Sequence, residues 1–146
     1  MNDLDSLVSS ADAQFAAAVG EGDFVEHATY SGRRYGTLRS ELDKRTARGE
    51  PIVLEIEVQG ARQVSEAMPG ALLLFIAPPS AQALRDRLVG RGTDASEEVE
   101  RRLQVAQEEL DAQGEFRHVV VNDELGTTVD ELERIVRGAL SADPAR

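Results

Sequence analysis

Two carboxylates, Glu55 and Glu57, interrupt an otherwise apolar run, Leu54-Glu55-Ile56-Glu57-Val58, that leads straight into Gln59-Gly60. In an extended chain, alternation puts both on one face. Carboxylates so placed can accept hydrogen bonds from a base edge or hold a metal-bound water. The same pattern also describes a strand with one face in water, and it leaves both readings open. Upstream, residues 31–48 bring together Arg33, Arg34, Arg39, Lys44, Arg45 and Arg48 against Glu41 and Asp43, whereas residues 1–30 carry six acids and no base. Such a cluster draws anions locally; equally, Arg39, Lys44 and Arg48 form a solvated helix face. His27 and His118 are far apart in sequence and read as hairpin and strand residues. With no cysteine there is no thiolate nucleophile, thiolate zinc site or disulfide, which suits a reducing compartment. HExxH, GxSxG and EF-hand patterns are missing too, so no catalytic residue, cofactor or metal site is expected.

These residues need elements to hold them. Ser9 or Ser10 is placed to cap a helix over 10–19, with Ala11, Phe15, Ala18 and Val19 as its stripe and Gly20 and Gly22 as its stop. Phe24–Thr29 and Arg33–Thr37 flank Tyr30-Ser31-Gly32 and predict a β-hairpin. Thr37 is read as the cap of a helix with Leu38 and Leu42 inward, ending at Gly49. Ile52–Val58 predicts a strand, Gly60–Met68 a helix, and the apolar Leu72–Ala77 a parallel strand covered on both faces. Ser80 caps a helix carrying Leu84 and Leu88, and Gly90-Arg91-Gly92-Thr93 interrupts it. A helix from Ser96 to Gln113 follows, stopped by Gly114. His118–Val121 is a third strand, and Thr128-Val129-Asp130-Glu131 is a capping box opening a last helix with Leu132, Ile135, Val136 and Ala139 buried.

Strands separated by helices define an α/β domain with right-handed crossovers, whose ligands sit at the carboxyl ends of the strands. A chain of 146 residues, 41% hydrophobic, fits one such domain. Its 16 bases against 27 acids give a net charge of −11, which argues against a nucleic-acid binder. The longest apolar run, Ala71–Pro79, is too short to span a bilayer, so a cytoplasmic location without membrane contact is expected.

Several segments taken together resemble one family. Phe24-Val25-Glu26-His27, Ser31-Gly32-Arg33-Arg34-Tyr35-Gly36-Thr37, Leu54 through Arg62, Phe75-Ile76-Ala77-Pro78-Pro79-Ser80, Leu88 through Thr93 and Val121-Asn122-Asp123 resemble guanylate kinases in order and spacing, over about residues 7–140. The resemblance implies that Glu26 and Glu57 contact a guanine base, with Glu55 nearby, and that Tyr35 and Thr37 lie on the phosphate side of bound GMP. It also implies that Arg91 and Arg102 serve a mobile lid and the helix after it. For Arg91 and Arg102 surface ion pairing is the alternative, and for Tyr35 simple packing. The implied layout is one domain over 1–146: residues 7–50 a remnant of the GMP-binding lobe, 51–90 and 115–140 the core, and 91–114 the lid and its helix.

The chain also departs from that family. Family members open with a strand, a GxxxxGK[ST] phosphate loop and a helix, followed by a strand with paired arginines. None of these is in the sequence, and the single lysine is Lys44. Asp5-Ser6-Leu7 stands where the family has a Tyr-x-Phe segment. The expected fold is therefore a P-loop-kinase-like α/β domain whose parallel sheet lacks its first strand, with the hairpin and a helical lid retained. Phosphoryl transfer rests on positioning and charge neutralisation, so no useful ATP:GMP phosphotransferase activity is expected without the cradle. The family's first strand lies between those matching 52–58 and 71–77. Without it, direct closure, the N-terminal segment or a homodimer contact must cover the exposed edges. Three functions remain open: a non-catalytic module binding GMP or another purine nucleotide, with Arg33, Arg34 or Arg39 compensating at the phosphate; a protein-interaction domain taking a phosphopeptide in the same cleft; and a guanylate kinase whose phosphate loop comes from another chain.

Overall fold

The computed structural model describes residues 3–30, 32–89 and 96–142. Arg91 and the Gly90–Thr93 interruption lie outside them. The chain forms two compact units, the first ending at Ala71 and the second beginning at Leu72.

In the first unit, helix α1 spans Asp3–Glu21, longer than the expected 10–19. Neither Ser9 nor Ser10 is its cap. No glycine or proline precedes Gly20 to break the ladder, so the helix extends past both serines. It ends in a Schellman turn. Asp23 N–H reaches Ala18 O at 3.0 Å, Gly22 N–H reaches Val19 O at 3.2 Å, and Gly22 takes φ 75°. Strands β1 (Phe24–Tyr30) and β2 (Arg33–Leu38) then form the expected antiparallel hairpin. Its pairs include Glu26↔Thr37, His27↔Gly36 and Ala28↔Tyr35, with an irregularity between Phe24 and Glu26.

Helix α2 (Arg39–Thr46) is not capped by Thr37, whose hydroxyl is engaged elsewhere. Leu38 holds the cap position without a side-chain bond, and Arg39 N–H is taken by Asp23 O at 2.8 Å. Leu42 is buried as expected, but Leu38 is exposed. The run 52–58 is not a sheet strand, because no strand lies beside it among the described residues. Its alternation survives nonetheless. Ile52, Leu54 and Ile56 pack on the core of Val25, Leu42 and Val64, while Val53 and Glu55 face out. Helix α3 (Val58–Ala67) follows with Gly60, Ala61 and Val64 buried.

In the second unit, β3 (Leu74–Ala77) pairs in parallel with β4 (His118–Val121), register Leu74↔His118 to Ala77↔Val121. This sheet therefore has two strands rather than three among the described residues, and it is not covered on both faces. Val120 and Ala77 are buried, whereas Ile76, Val119 and Val121 are exposed. Helix α4 (Ala81–Val89) begins where expected, with Ser80 Oγ accepting from Ala83 N–H at 3.0 Å. Helix α5 (Ser96–Asp111) tightens into a 3-10 turn over Ala112–Glu115 that contains Gly114. Helix α6 (Leu125–Ala142) starts before the expected capping box. The Glu124 carboxylate accepts from Gly126 N–H at 3.0 Å and Thr127 N–H at 2.8 Å, so it satisfies the first free amides. Thr128 lies inside the helix, its hydroxyl donating to Glu124 O at 2.9 Å. Ile135 is buried there, but Ala139 is exposed.

Candidate functional site

The candidate site lies in the first unit, where β1, β2 and the start of α3 converge. Glu26 sits in mid-β1 and is 1% exposed, the most buried charged residue described. Its Oε1 accepts from Thr37 Oγ1 at 2.6 Å. Antiparallel pairing dictates this contact, since Glu26 and Thr37 are direct cross-strand partners. Its Oε2 is buried with no hydrogen-bond partner among the described residues. Beneath that oxygen lies Gly60; a Cβ there would stand 2.9 Å from it, so any larger residue would push the carboxylate from this position.

Glu57 holds the N-cap position of α3 in an extended conformation, φ −76° and ψ 171°, and its side chain makes no cap bond. Burial first, and then the negative charge of Glu26, hold its carboxyl above the usual carboxylate range; a backbone hydrogen bond pulls more weakly the other way. Two carboxylates thus feel one another's charge, one of them with a buried oxygen that has no hydrogen-bond partner among the described residues. Such a pair raises the energy of the empty fold and favours whatever donates protons to it.

The expected residues separate on this geometry. Glu26, Thr37 and Glu57 come together. Glu55 is exposed and does not join them, because Leu54 and Ile56 claim the inner side of that run. Thr37, expected on the phosphate side, spends its hydroxyl on Glu26. Tyr35 precedes Thr37 by two residues and shares its face of β2; it is 36% exposed. Arg34 points to the opposite face. Its Nη2 donates to Asp12 O at 2.7 Å and Oδ1 at 2.8 Å, and its guanidinium lies 4.9 Å over the Phe15 ring. It ties α1 to the hairpin. Arg33, by alternation, lies on the Tyr35 face. Arg102 belongs to α5 in the second unit. Sequence reasoning missed Gly60 as a packing requirement and missed Gln63 altogether.

A parallel β3–β4 pair with helical connections, together with a hairpin unit that buries a carboxylate, defines an α/β protein. A family model described as "Guanylate kinase" matches residues 7–139. Relatives named guanylate kinase include those of Synechococcus sp. (strain CC9311), 49% identical over 121 residues, and Gloeobacter violaceus, 47% identical over 133 residues. Those matches cover 83% and 91% of this chain and 64% and 65% of the relatives. The crystal structure of guanylate kinase from Anaplasma phagocytophilum aligns with a TM-score of 0.72 at 28% identity, covering 90% of this chain and 63% of that one. The chain belongs to the guanylate kinase family, and it spans just under two thirds of the length of these relatives. Among the described residues no helix is long and apolar enough to cross a membrane.

Proposed function

We propose that this chain binds a guanine nucleotide, GMP first, with Glu26 and Glu57 accepting from the base. The observation that carries this reading is the buried, unpartnered Oε2 of Glu26 beside a second carboxylate. Guanine offers N1–H and N2–H₂ as adjacent donors along one edge, the complement of such a pair, whereas adenine presents an acceptor at N1. Tyr35 and Arg33, on the outer part of the same hairpin face, take the phosphate side. A phosphopeptide fits this cleft less well, because its anion would meet two carboxylates.

Within these 146 residues there is no GxxxxGK[ST], and Lys44 is spent on Glu41 at 2.7 Å on the exposed face of α2. This polypeptide alone therefore recognises the acceptor nucleotide and does not transfer phosphate to it. Transfer needs the backbone amide cradle, lysine and magnesium-binding hydroxyl of a phosphate loop. Calorimetry with GMP, AMP and a phosphopeptide, on the natural protein and on Glu57→Gln, tests the first part. GMP should bind in preference to AMP, and the substitution should weaken GMP alone; equal binding of GMP and AMP overturns it. A coupled assay with ATP and GMP tests the second, and turnover at ordinary kinase rates overturns that.

A further inference from the structure

We infer that Gln63 is a positioning residue that locks β1 onto α3 and so holds Glu26 over the first turn of the helix whose N-cap is Glu57, an inference that rests on the guanine-binding reading above. Gln63 projects from the second turn of α3 and its carboxamide meets the backbone of His27 on both sides. Oε1 accepts from His27 N–H at 3.0 Å, and Nε2 donates to His27 O at 2.9 Å. These two backbone groups turn away from β2, at the outer edge of the hairpin. An unpaired edge amide and carbonyl would otherwise need water or another strand. The side chain thus stands in for one peptide unit of a third strand, and it fixes which residue of β1 lies over which turn of α3.

The register so fixed has a chemical consequence one residue away. With His27 clamped to Gln63, Glu26 falls over Gly60, where a Cβ would stand 2.9 Å from its Oε2. Gly60 is only three residues after Glu57, the N-cap of the same helix. Clamp, glycine and carboxylate therefore occupy successive positions on α3, and a slip of β1 by one residue would move Glu26 off the glycine. The Nε2 group also lies 3.3 Å from Gln59 O on its own helix, which holds the carboxamide in the orientation that reads the strand. Thr37 steadies Glu26 from the β2 side, but it travels with the hairpin and cannot set the position of the hairpin relative to α3.

Gln63→Met keeps the length, volume and helix preference of the side chain while deleting both bonds. Carbon-13 NMR of the Glu57 carboxyl in the ligand-free protein reads the packing of β1 on α3, since burial first and then the charge of Glu26 hold that carboxyl up, and both depend on it. The titration midpoint of Glu57 should move back toward the ordinary carboxylate value, and the affinity for GMP should fall at least tenfold, with far-UV circular dichroism unchanged. A Glu57 titration identical to that of the natural protein overturns the inference and leaves Gln63 as an edge cap only. Gln63→Leu provides the second variant if Gln63→Met fails to fold. It deletes both bonds without adding a charge, and the same shift in Glu57 is required of it. Because the NMR readout needs no ligand, failure of the natural protein to bind GMP would sink the functional reading without deciding this one.

Discussion

Replacing Glu26 with glutamine separates what the site does from what the fold wants. Glu26 is 1% exposed, with Oε1 bonded to Thr37 at 2.6 Å and Oε2 unpartnered. Glutamine keeps the shape and an acceptor for Thr37, removes the charge, and puts a donor where the orphan acceptor was, beside the Glu57 carboxylate. A buried polar group without a partner costs about 1–3 kcal/mol. Recovering the low end of that range would raise the melting temperature by roughly 2–4 °C in a protein of this size. Binding moves the opposite way. A hydrogen bond to a charged acceptor is worth about 1.5–3 kcal/mol, so losing it should weaken GMP by roughly 10- to 150-fold. Thermal melting of the ligand-free Glu26→Gln protein, paired with calorimetry against GMP, checks both signs. A variant that melts lower than the natural protein and binds GMP equally well would show that Glu26 is a structural residue and refute the reasoning.

Other expectations follow from the same geometry. The raised Glu57 carboxyl gives stability and binding opposite slopes. Its stabilising contribution is complete below the unfolded carboxylate value and is lost as pH rises through the folded one. GMP needs the ionised form and so binds more tightly across that window; parallel slopes in melting and calorimetric titrations would contradict this. Gly60→Ala places a methyl 2.9 Å from Glu26 Oε2 and 3.4 Å from Ile56 Cβ. The helix preference gained, about 1 kcal/mol, offsets overpacking of about 1–3 kcal/mol, so GMP affinity should drop by more than the loss of stability accounts for. Arg33→Ala should weaken GMP but leave guanosine unaffected, whereas Arg34→Ala should lower the melting temperature with GMP affinity intact; calorimetry with both ligands distinguishes them. Glu124→Ala should fray the start of α6. The Thr127 and Gly126 donors hold the Glu124 carboxyl below its usual range, so its contribution is present above the unfolded value and fades as pH falls through the folded one. Amide exchange in residues 125–128 reads this.

The hairpin, α3, β4 and the Ser80 cap were legible because each is written locally: alternation around Ser31-Gly32, an apolar face, a short valine run, a hydroxyl before a helix. The caps of α2 and α6 were misread where a better partner lay elsewhere. Thr37 has the right chemistry for a cap, but its cross-strand neighbour is a buried carboxylate, and that bond wins the hydroxyl. Thr128 opens a valid capping box, yet Glu124 offers two oxygens to the same turn earlier in the chain. Ile52–Val58 has strand alternation without a strand, since a ladder needs a neighbour that no local pattern can supply. Glu57 stood out with Glu55 from the alternation of 54–58, whereas Glu26 was found only through family resemblance. The meeting of Glu26 and Glu57 depends on β1 packing against α3, and Gln63 and Gly60, which govern that packing, carry no signal of their own in the sequence.

The choice between a base-binding cleft and an anion-binding cleft turns on which charges the fold leaves free. A chain of net charge −11 can draw a nucleotide monophosphate only where its bases converge, and residues 33–48 are its densest basic stretch. Half of those bases are engaged. Arg34 is bound to Asp12 at 2.8 Å, Lys44 to Glu41 at 2.7 Å, and Arg48 lies 3.8 Å from Glu50. The carboxylates at the base end are in the reverse state, buried or half-buried and short of donors. Affinity in this cleft should therefore come from the base and depend little on salt, since the phosphate meets few cations. Guanosine should consequently retain most of the affinity of GMP, in contrast to a site that grips phosphate with paired arginines, where removing the phosphate would remove most of the binding.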